Sequence, residues 1–279
     1  MIGQFLLAFR EVLEAAIITS IILAYLARAN RKDLSMFVWL GVSLATALSL
    51  VSGLLVWLMY GVLSRPTQVL FEGTAAIIAV VVLTSMILWL ATKGRDIREN
   101  IETRVAPFAK RGAGFALASF SYVVVFREGL ETVLFLTPFV VNDPLGTAIG
   151  ALSGLLASVA LSYGIFAIGM RIDLHRFFYF TSVLLVLLAA GLAGYGVHEL
   201  IEYAQLSGAD LGWFSKYAYN LNIPPESLFH HRGLLGSILA VMFGYSVSAE
   251  WGRLLAYFTY LALALPTVVR AYRKKRITK

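Results

Sequence analysis

The sequence predicts an all-α, polytopic membrane protein with about seven transmembrane helices. Apolar residues make up 59% of the 279 positions and charged residues only 14%, against roughly 45–50% and about 25% in a soluble domain. Apolar runs long enough to cross a bilayer, which takes about 20 residues, recur along the whole chain. These observations exclude a water-soluble globule and leave no room for a sizeable aqueous domain.

The predicted spans follow the apolar runs in order. They are Ile2–Ala27, Met36–Tyr60, Val69–Leu90, Phe115–Val141, Gly146–Met170, Phe177–Tyr203 and Trp251–Ala271. Segment Gly233–Val247 is also apolar but has only about 15 residues, so we interpret it as a re-entrant or interfacial piece, with an eighth span as the alternative. The first span lacks the basic leader of a cleavable signal peptide, so we expect it to be retained.

The basic residues predict how the helices are oriented. Of the 23 Lys and Arg residues, 17 lie on one side, in segments 28–34, 93–111 and 171–176 and in the tail from Arg270, and three lie on the other. Basic residues concentrate on the cytoplasmic side of membrane proteins. The N-terminus is therefore predicted outside and the C-terminus in the cytoplasm, which requires an odd number of spans. The net charge of +7 is thus explained by basic residues that flank the membrane spans and lie beside membrane lipid. It does not require a nucleic-acid partner.

Two polar connections have recognisable character. The cytoplasmic connection 93–112 mixes both signs of charge at helical spacing, which favours a solvated helix. The outside connection 205–250 is interpreted as a partly ordered loop on the membrane, with aromatic residues at the interface. His230 and His231 in this loop are weak ligand candidates, and Glu250 and Arg253 are interpreted as an interfacial ion pair.

One charged pattern occurs twice, each time deep in an apolar run. The first copy is Phe9-Arg10-Glu11-Val12-Leu13-Glu14, and the second is Phe126-Arg127-Glu128-Gly129-Leu130-Glu131. On a helix the two glutamates of each copy share one face, and the arginine and the second glutamate are spaced to pair. An ionised side chain at mid-span costs about 2.5–3.5 kcal/mol, so these groups should face one another or a water-filled cavity.

The motifs are interpreted as part of a substrate path. Four glutamates against two arginines leave a formal charge of −2, which a cation would balance. The alternative is a salt-bridged packing element, but packing does not require that excess of negative charge. Carboxylates with an occasional imidazole, and no cysteine, favour a hard or borderline cation. The residues by themselves leave iron, manganese, magnesium, calcium and protons open.

The two copies lie on spans predicted to run in opposite directions, the first and the fourth. This predicts an inverted repeat of spans 1–3 and 4–6, a common plan of secondary transporters. The chain is then one transmembrane domain, and the spacing of Gly150 and Gly154 is predicted to allow close helix approach. Its parts are repeat one at about 1–92, the connection 93–112, repeat two at 113–204, the outside loop 205–250, and the last span with its basic tail at 251–279.

Further acids lie at the predicted outer ends of spans. Glu72 lies about one turn inside the outer end of span 3, and His198, Glu199 and Glu202 end span 6. We interpret them as an outer funnel for a cation. The pattern His198-Glu199-x-x-Glu202 is similar to the zinc-protease pattern His-Glu-x-x-His, but a glutamate replaces the second histidine, so an intramembrane metal-dependent enzyme is disfavoured.

The doubled Arg-Glu-x-x-Glu pattern resembles the oxidase-linked iron permease family, which includes fungal high-affinity iron permeases and bacterial Efe-type iron importers. The resemblance covers essentially the whole chain, including Phe71–Gly73, Met86–Trp89 and Phe243–Tyr245. It implies a metal site in which two arginines orient the glutamates that bind and pass iron, with one further outer carboxylate. These residues are Glu11, Glu14, Glu128 and Glu131 as ligands, Arg10 and Arg127 as orienting groups, and Glu72 as the outer carboxylate.

The resemblance further implies an iron permease of the plasma membrane rather than an enzyme. Iron would be the transported substrate, without an organic cofactor, and a ferroxidase or extracytoplasmic iron-delivery protein would be a separate partner. We expect alternating exposure of the carboxylate site between the two three-helix units. The oxidation state of the iron, the energy source and the oligomeric state stay open. A transporter of manganese or lead, and a proton-coupled cation exchanger, are the alternatives.

Overall fold

The computed structural model describes residues 2–93, 97–141, 143–166, 174–224 and 244–274, with residues 227, 229, 236 and 239. Within these ranges the chain is dominated by helices, which confirms the predicted class. The helices are α1 (Ile2–Arg28), α2 (Ser35–Gly61), α3 (Arg65–Lys93), α4 (Ile97–Arg111), α5 (Gly114–Val140), α6 (Pro144–Phe166), α7 (Leu174–Leu206) and α8 (Trp251–Lys274).

Seven of the eight described helices coincide with the seven predicted spans. The eighth, α4, lies in the connection between the third and fourth spans. By length and composition α2, α3, α6, α7 and α8 are apolar enough to cross a membrane. Helices α1 and α5 have 27 residues each, but each carries the three charges of its motif. A helix of that length rises about 40 Å, more than the roughly 30 Å hydrocarbon core. The predicted orientation of the helices stays a prediction.

The helices pack in pairs that connect the two halves of the chain. Helix α1 packs along α6, α2 along α5, and α3 along α7, while α1 also contacts α5. Exchanging α1, α2 and α3 with α5, α6 and α7 reproduces the same set of pairs. This packing is compatible with the predicted inverted repeat, which itself stays a prediction.

Small residues allow two of these pairs to approach closely. A Cβ on Gly154 of α6 would lie 2.7 Å from the carbonyl oxygen of Phe5 and 2.8 Å from the amide nitrogen of Phe9, both in α1. The hydroxyl of Ser158 donates to the carbonyl oxygen of Phe9 at 2.5 Å. Gly41 of α2 lies in the same way against the backbone of α5 at Ala118. The close approach predicted at Gly154 is therefore confirmed.

The solvated helix predicted in the connection 93–112 is present as α4, but only one of its faces is solvated. Ile101, Val105 and Ala109 are buried in a cluster with residues of α1. On the other side Glu102 accepts from Arg28 of α1 at 2.5 Å and from Arg98 at 2.8 Å. These hydrogen bonds hold the pKa of Glu102 below its usual range. The charge pattern revealed the helix, but the apolar stripe that anchors it was not predicted.

The connection 205–250, predicted to lie outside, contains a small β-ribbon that the sequence did not predict. Strand β1 (Tyr217–Asn220) pairs antiparallel with β2 (Ser248–Glu250), which leads directly into α8. Strands of three and four residues are too short to show a readable alternation. Several positions discussed from the sequence lie outside the described residues: His230, His231, Phe243 and most of Gly233–Val247. The same holds for residues 94–96, for residues 167–173, where the fifth predicted span ends, and for the tail from 275.

Candidate functional site

The contact between α1 and α5 brings the two motif copies together in the interior. All four motif glutamates are buried, with Glu11 fully inaccessible. Glu11, Glu128 and Glu131 each offer one carboxylate oxygen, and these three oxygens lie within 4.8 Å of one another. Glu14 follows Glu11 by three residues on α1. The structure therefore unites in one cluster residues that lie more than 100 positions apart in the chain.

The two arginines are paired within their own motif copies. Arg10 Nη1 donates to Glu11 Oε1 at 2.8 Å, and its Nη2 lies 3.7 Å from Glu14 Oε1. Arg10 also contacts the sulfur of Met86 on α3. In the second copy Arg127 Nε donates to Glu131 Oε1 at 2.8 Å. The predicted i to i+4 pairing is thus found in both copies, although the closest partner of Arg10 is its neighbour.

The cluster contains carboxylate oxygens whose hydrogen-bonding capacity is unused. Among the described residues, one buried oxygen on each motif glutamate has no hydrogen-bond partner: Glu11 Oε2, Glu14 Oε1, Glu128 Oε2 and Glu131 Oε2. Burial of a polar atom without a partner is costly. Oxygen donors of this type are the ligands that hard cations prefer. The arrangement is chemically suited to hold such a cation.

A cavity of about 520 Å³ adjoins the cluster. Glu14, Arg127 and Glu128 line one part of it, and Asn100 and Arg104 of α4 line another. The walls between these groups are mainly apolar side chains of α1, α3 and α5. The motif residues therefore border a space large enough for water.

Glu72 lies in a separate polar group. Its Oε1 accepts from the hydroxyl of Tyr60 at 2.6 Å, and its Oε2 accepts from the hydroxyl of Tyr195. Met86 follows Glu72 by fourteen positions of α3, which corresponds to about 21 Å along the helix. Glu72 is thus distant from the motif cluster, at the end of α3 where the sequence places it.

The histidine and glutamates at the end of α7 also form a group. His198, Glu199 and Glu202 each offer a ligand atom within 4.8 Å of the others. Glu202 pairs with Arg65 at 2.8 Å, and His198 Nδ1 lies 3.1 Å from Glu250 Oε2. Glu250, interpreted from the sequence as a partner of Arg253, is therefore paired with His198.

Sequence reasoning missed Tyr60 and Tyr195, whose hydroxyls converge on Glu72. Tyr195 precedes Glu199 by one helical turn, so its position on the same face of α7 was a usable signal. In the sequence, Tyr60 is only the end of a predicted span. Its approach to Glu72 depends on the tight connection between α2 and α3, which spans residues 62–64.

The fold and the buried carboxylates define a polytopic helical membrane protein with a charged cluster between two of its helices. The chain belongs to the Iron permease FTR1 family, which it matches over residues 1–272. It is therefore a multi-pass protein of the plasma membrane. Membership in this family supports an iron permease rather than an enzyme.

Curated relatives cover nearly the whole chain. It is 34% identical over 268 residues to a Yersinia pestis protein named ferrous iron permease EfeU, covering 95% of this chain and 92% of that protein. An Escherichia coli O6:H1 protein of the same name is 33% identical over 272 residues, with 96% and 95% covered. An uncharacterized protein of Archaeoglobus fulgidus is 44% identical over 272 residues, with 98% and 96% covered. No solved structure matches the chain.

Proposed function

We propose that this protein carries iron into the cell through the carboxylate cluster formed by its two Arg-Glu-x-x-Glu motifs. The observation that carries the proposal is the set of four buried carboxylate oxygens without hydrogen-bond partners, one on each motif glutamate. A dehydrated or partly dehydrated cation would satisfy these oxygens. Family membership supports iron as that cation.

Ferrous iron fits the charge of the cluster. Four glutamates and two arginines carry a formal charge of −2 when all are ionised, which one divalent cation balances. The relatives from Yersinia pestis and Escherichia coli are named ferrous iron permeases. Glu72 lies outside the cluster and adds no charge to it, so the site offers no excess of negative charge for a trivalent ion.

The arginines keep the carboxylates in place without occupying all of their oxygens. Arg10 binds Glu11 Oε1 and Arg127 binds Glu131 Oε1 at 2.8 Å each, whereas Arg10 Nη2 stays 3.7 Å from Glu14 Oε1, beyond hydrogen-bond distance. An intramembrane carboxylate is most easily kept ionised beside such a counter-charge. The arginines therefore act as orienting groups in this proposal.

The outer acids complete the proposed route. Glu72, His198, Glu199 and Glu202 would receive iron at the outer surface and pass it to the motifs. The two three-helix units would expose the cluster to each side in turn, a movement in which the extensive contacts of α1 with α6 and of α2 with α5 would have to rearrange. No organic cofactor takes part, and a ferroxidase or iron-delivery protein would be a separate partner.

Uptake of ascorbate-reduced iron into proteoliposomes tests the proposal. Glu14→Gln or Glu131→Gln should abolish uptake, while Glu99→Gln, on the exposed face of α4, should keep the wild-type rate. Size-exclusion chromatography in detergent checks that each variant is folded. Wild-type uptake by both motif variants would contradict the assignment.

The same vesicles separate the alternative substrates. Oxidised iron, manganese and lead are offered in place of reduced iron, with and without a proton gradient. We expect reduced iron to be taken up fastest. Faster uptake of manganese or lead would identify a transporter of another cation.

A further inference from the structure

The cavity beside the motif cluster extends to residues of α4. Its walls include Glu14 and Glu128, each with a buried oxygen that lacks a hydrogen-bond partner. Both side chains are more than nine-tenths buried within the protein. Their unused oxygens therefore belong to residues that border open space, not to residues enclosed by close packing.

The other part of the cavity is formed by solvated residues of α4. Asn100 and Arg104 line it and are exposed. They lie on the polar face of a helix whose opposite face is buried against α1. A volume of about 520 Å³ holds on the order of ten or more water molecules. A cation in this space could keep much of its hydration shell.

The opposite end of the bundle is tied together by polar contacts. Glu72 of α3 accepts from Tyr60 of α2 and from Tyr195 of α7. Nearby, Arg65 pairs with Glu202 at 2.8 Å. These contacts join α2, α3 and α7 at the end of the bundle that lies away from α4. The cluster therefore adjoins open space toward α4, whereas the other end is crosslinked.

We propose that this cavity is the aqueous branch of the transport path, through which a hydrated divalent cation passes between the motif cluster and the membrane surface that carries α4. The inference rests on the proposed function and adds the side of the bundle on which the ion moves. With the orientation predicted from the basic residues, that side is cytoplasmic and the branch is the exit.

The wall chemistry fits release better than retention. Between its polar ends the cavity is lined by apolar side chains such as Ile18, Phe120 and Val124, which offer a cation no ligand. Arg104 and Arg127 also place positive charge along the space. Conduction requires binding weak enough to let the ion leave, so the cation is held at the carboxylates and passes the cavity without a second firm site.

Thiol labelling tests the branch directly because the chain has no native cysteine. Val124→Cys places a thiol on the cavity wall. Val159→Cys is the matched control, because Val159 is 53% exposed on the apolar surface of α6, where lipid surrounds it. A charged, membrane-impermeant maleimide is applied to intact cells and to inside-out vesicles. Ile18→Cys, on the α1 wall, replaces Val124→Cys if that variant does not fold.

We expect Val124→Cys to react in inside-out vesicles about tenfold or more faster than Val159→Cys, because only a thiol in water ionises to the reactive thiolate. It should not react in intact cells. Uptake of ascorbate-reduced iron should fall by most of its value after labelling of Val124→Cys, relative to the same variant unlabelled. Labelling of Val159→Cys should leave uptake unchanged.

Three results would overturn the proposal: equal labelling of the two thiols, labelling of Val124→Cys from intact cells, or labelling that does not reduce uptake. The first two results do not depend on whether the proposed substrate is right, whereas the third requires that the unlabelled protein takes up iron. If unlabelled wild-type protein takes up no iron, the proposed function fails, whereas the labelling pattern still reports whether the cavity is open to water on the α4 side.

Discussion

Arg10 and Arg127 hold the same position in two copies of one motif, but the side chain of Arg10 is 2% exposed and that of Arg127 is 55% exposed. Arg10 is enclosed between its own glutamates and Met86 of α3. Arg127 pairs with Glu131 and borders the cavity. Two copies of one pattern, which differ only in Val12 against Gly129, therefore hold one fully buried arginine and one arginine in contact with open space.

Replacement of these arginines should separate their contributions to stability. Arg10→Ala leaves buried glutamates without their counter-charge, and removal of one partner of a buried ion pair costs about 3–5 kcal/mol. Arg127→Ala removes an arginine that is itself 55% exposed, although its partner Glu131 is buried, so a smaller loss of stability than for Arg10→Ala is expected. Thermal unfolding of the purified proteins in detergent measures the difference. Equal losses of stability in the two variants would show that the exposure of the arginines does not set their contribution.

The close approach of α6 to α1 at Gly154 leads to a second prediction. Gly154→Ala would place a methyl group against the backbone of α1 at Phe5 and Phe9, so α1 and α6 must separate. Overpacking of this kind costs about 1–3 kcal/mol. Gly61→Ala is the control, because a Cβ at Gly61 meets nothing within 4 Å. Thermal unfolding should therefore show a clear loss for Gly154→Ala and none of that size for Gly61→Ala.

Acid should loosen α4 from the bundle. Hydrogen bonds from Arg98 and Arg28 lower the pKa of Glu102, so this carboxylate contributes stability that is present above its unfolded pKa and is lost as the pH falls through the lower folded value. Hydrogen–deuterium exchange of the α4 amides, corrected for intrinsic rates, should accelerate below about pH 4, the usual range of glutamate. Glu102→Gln should show fast exchange at pH 7 already. Slow exchange in that variant at neutral pH would contradict the prediction.

The tyrosines around Glu72 should affect how well iron is received. Tyr195→Phe removes a hydroxyl that donates to Glu72 and leaves the ring in place. If Glu72 receives iron at the outer surface, a less well oriented carboxylate should raise the KM for iron uptake several-fold and change the maximal rate less. Tyr163→Phe, at a 66% exposed position of α6, is the matched control. An unchanged KM in Tyr195→Phe would remove Glu72 and its tyrosines from the route.

The sequence by itself determined the features that depend on local spacing. The bilayer demands long apolar helices, so the spans could be placed to within a few residues. Helical periodicity placed the two glutamates of each motif on one face and predicted the pairing of Arg127 with Glu131. The mixed charges after α3 predicted α4. In each case the interacting groups lie within one or two turns of the same helix, where the backbone geometry fixes their distance.

Only the tertiary structure decided which distant groups meet. It united Glu11 with Glu128, directed the hydroxyls of Tyr60 and Tyr195 to Glu72, paired His198 with Glu250 and gave Arg10 and Arg127 different surroundings. These contacts depend on how closely whole helices approach, which small residues such as Gly154 and Gly41 permit at particular points. The periodicity of one helix carries no information about its partner, so the cluster and the cavity beside it emerge only when the helices are packed.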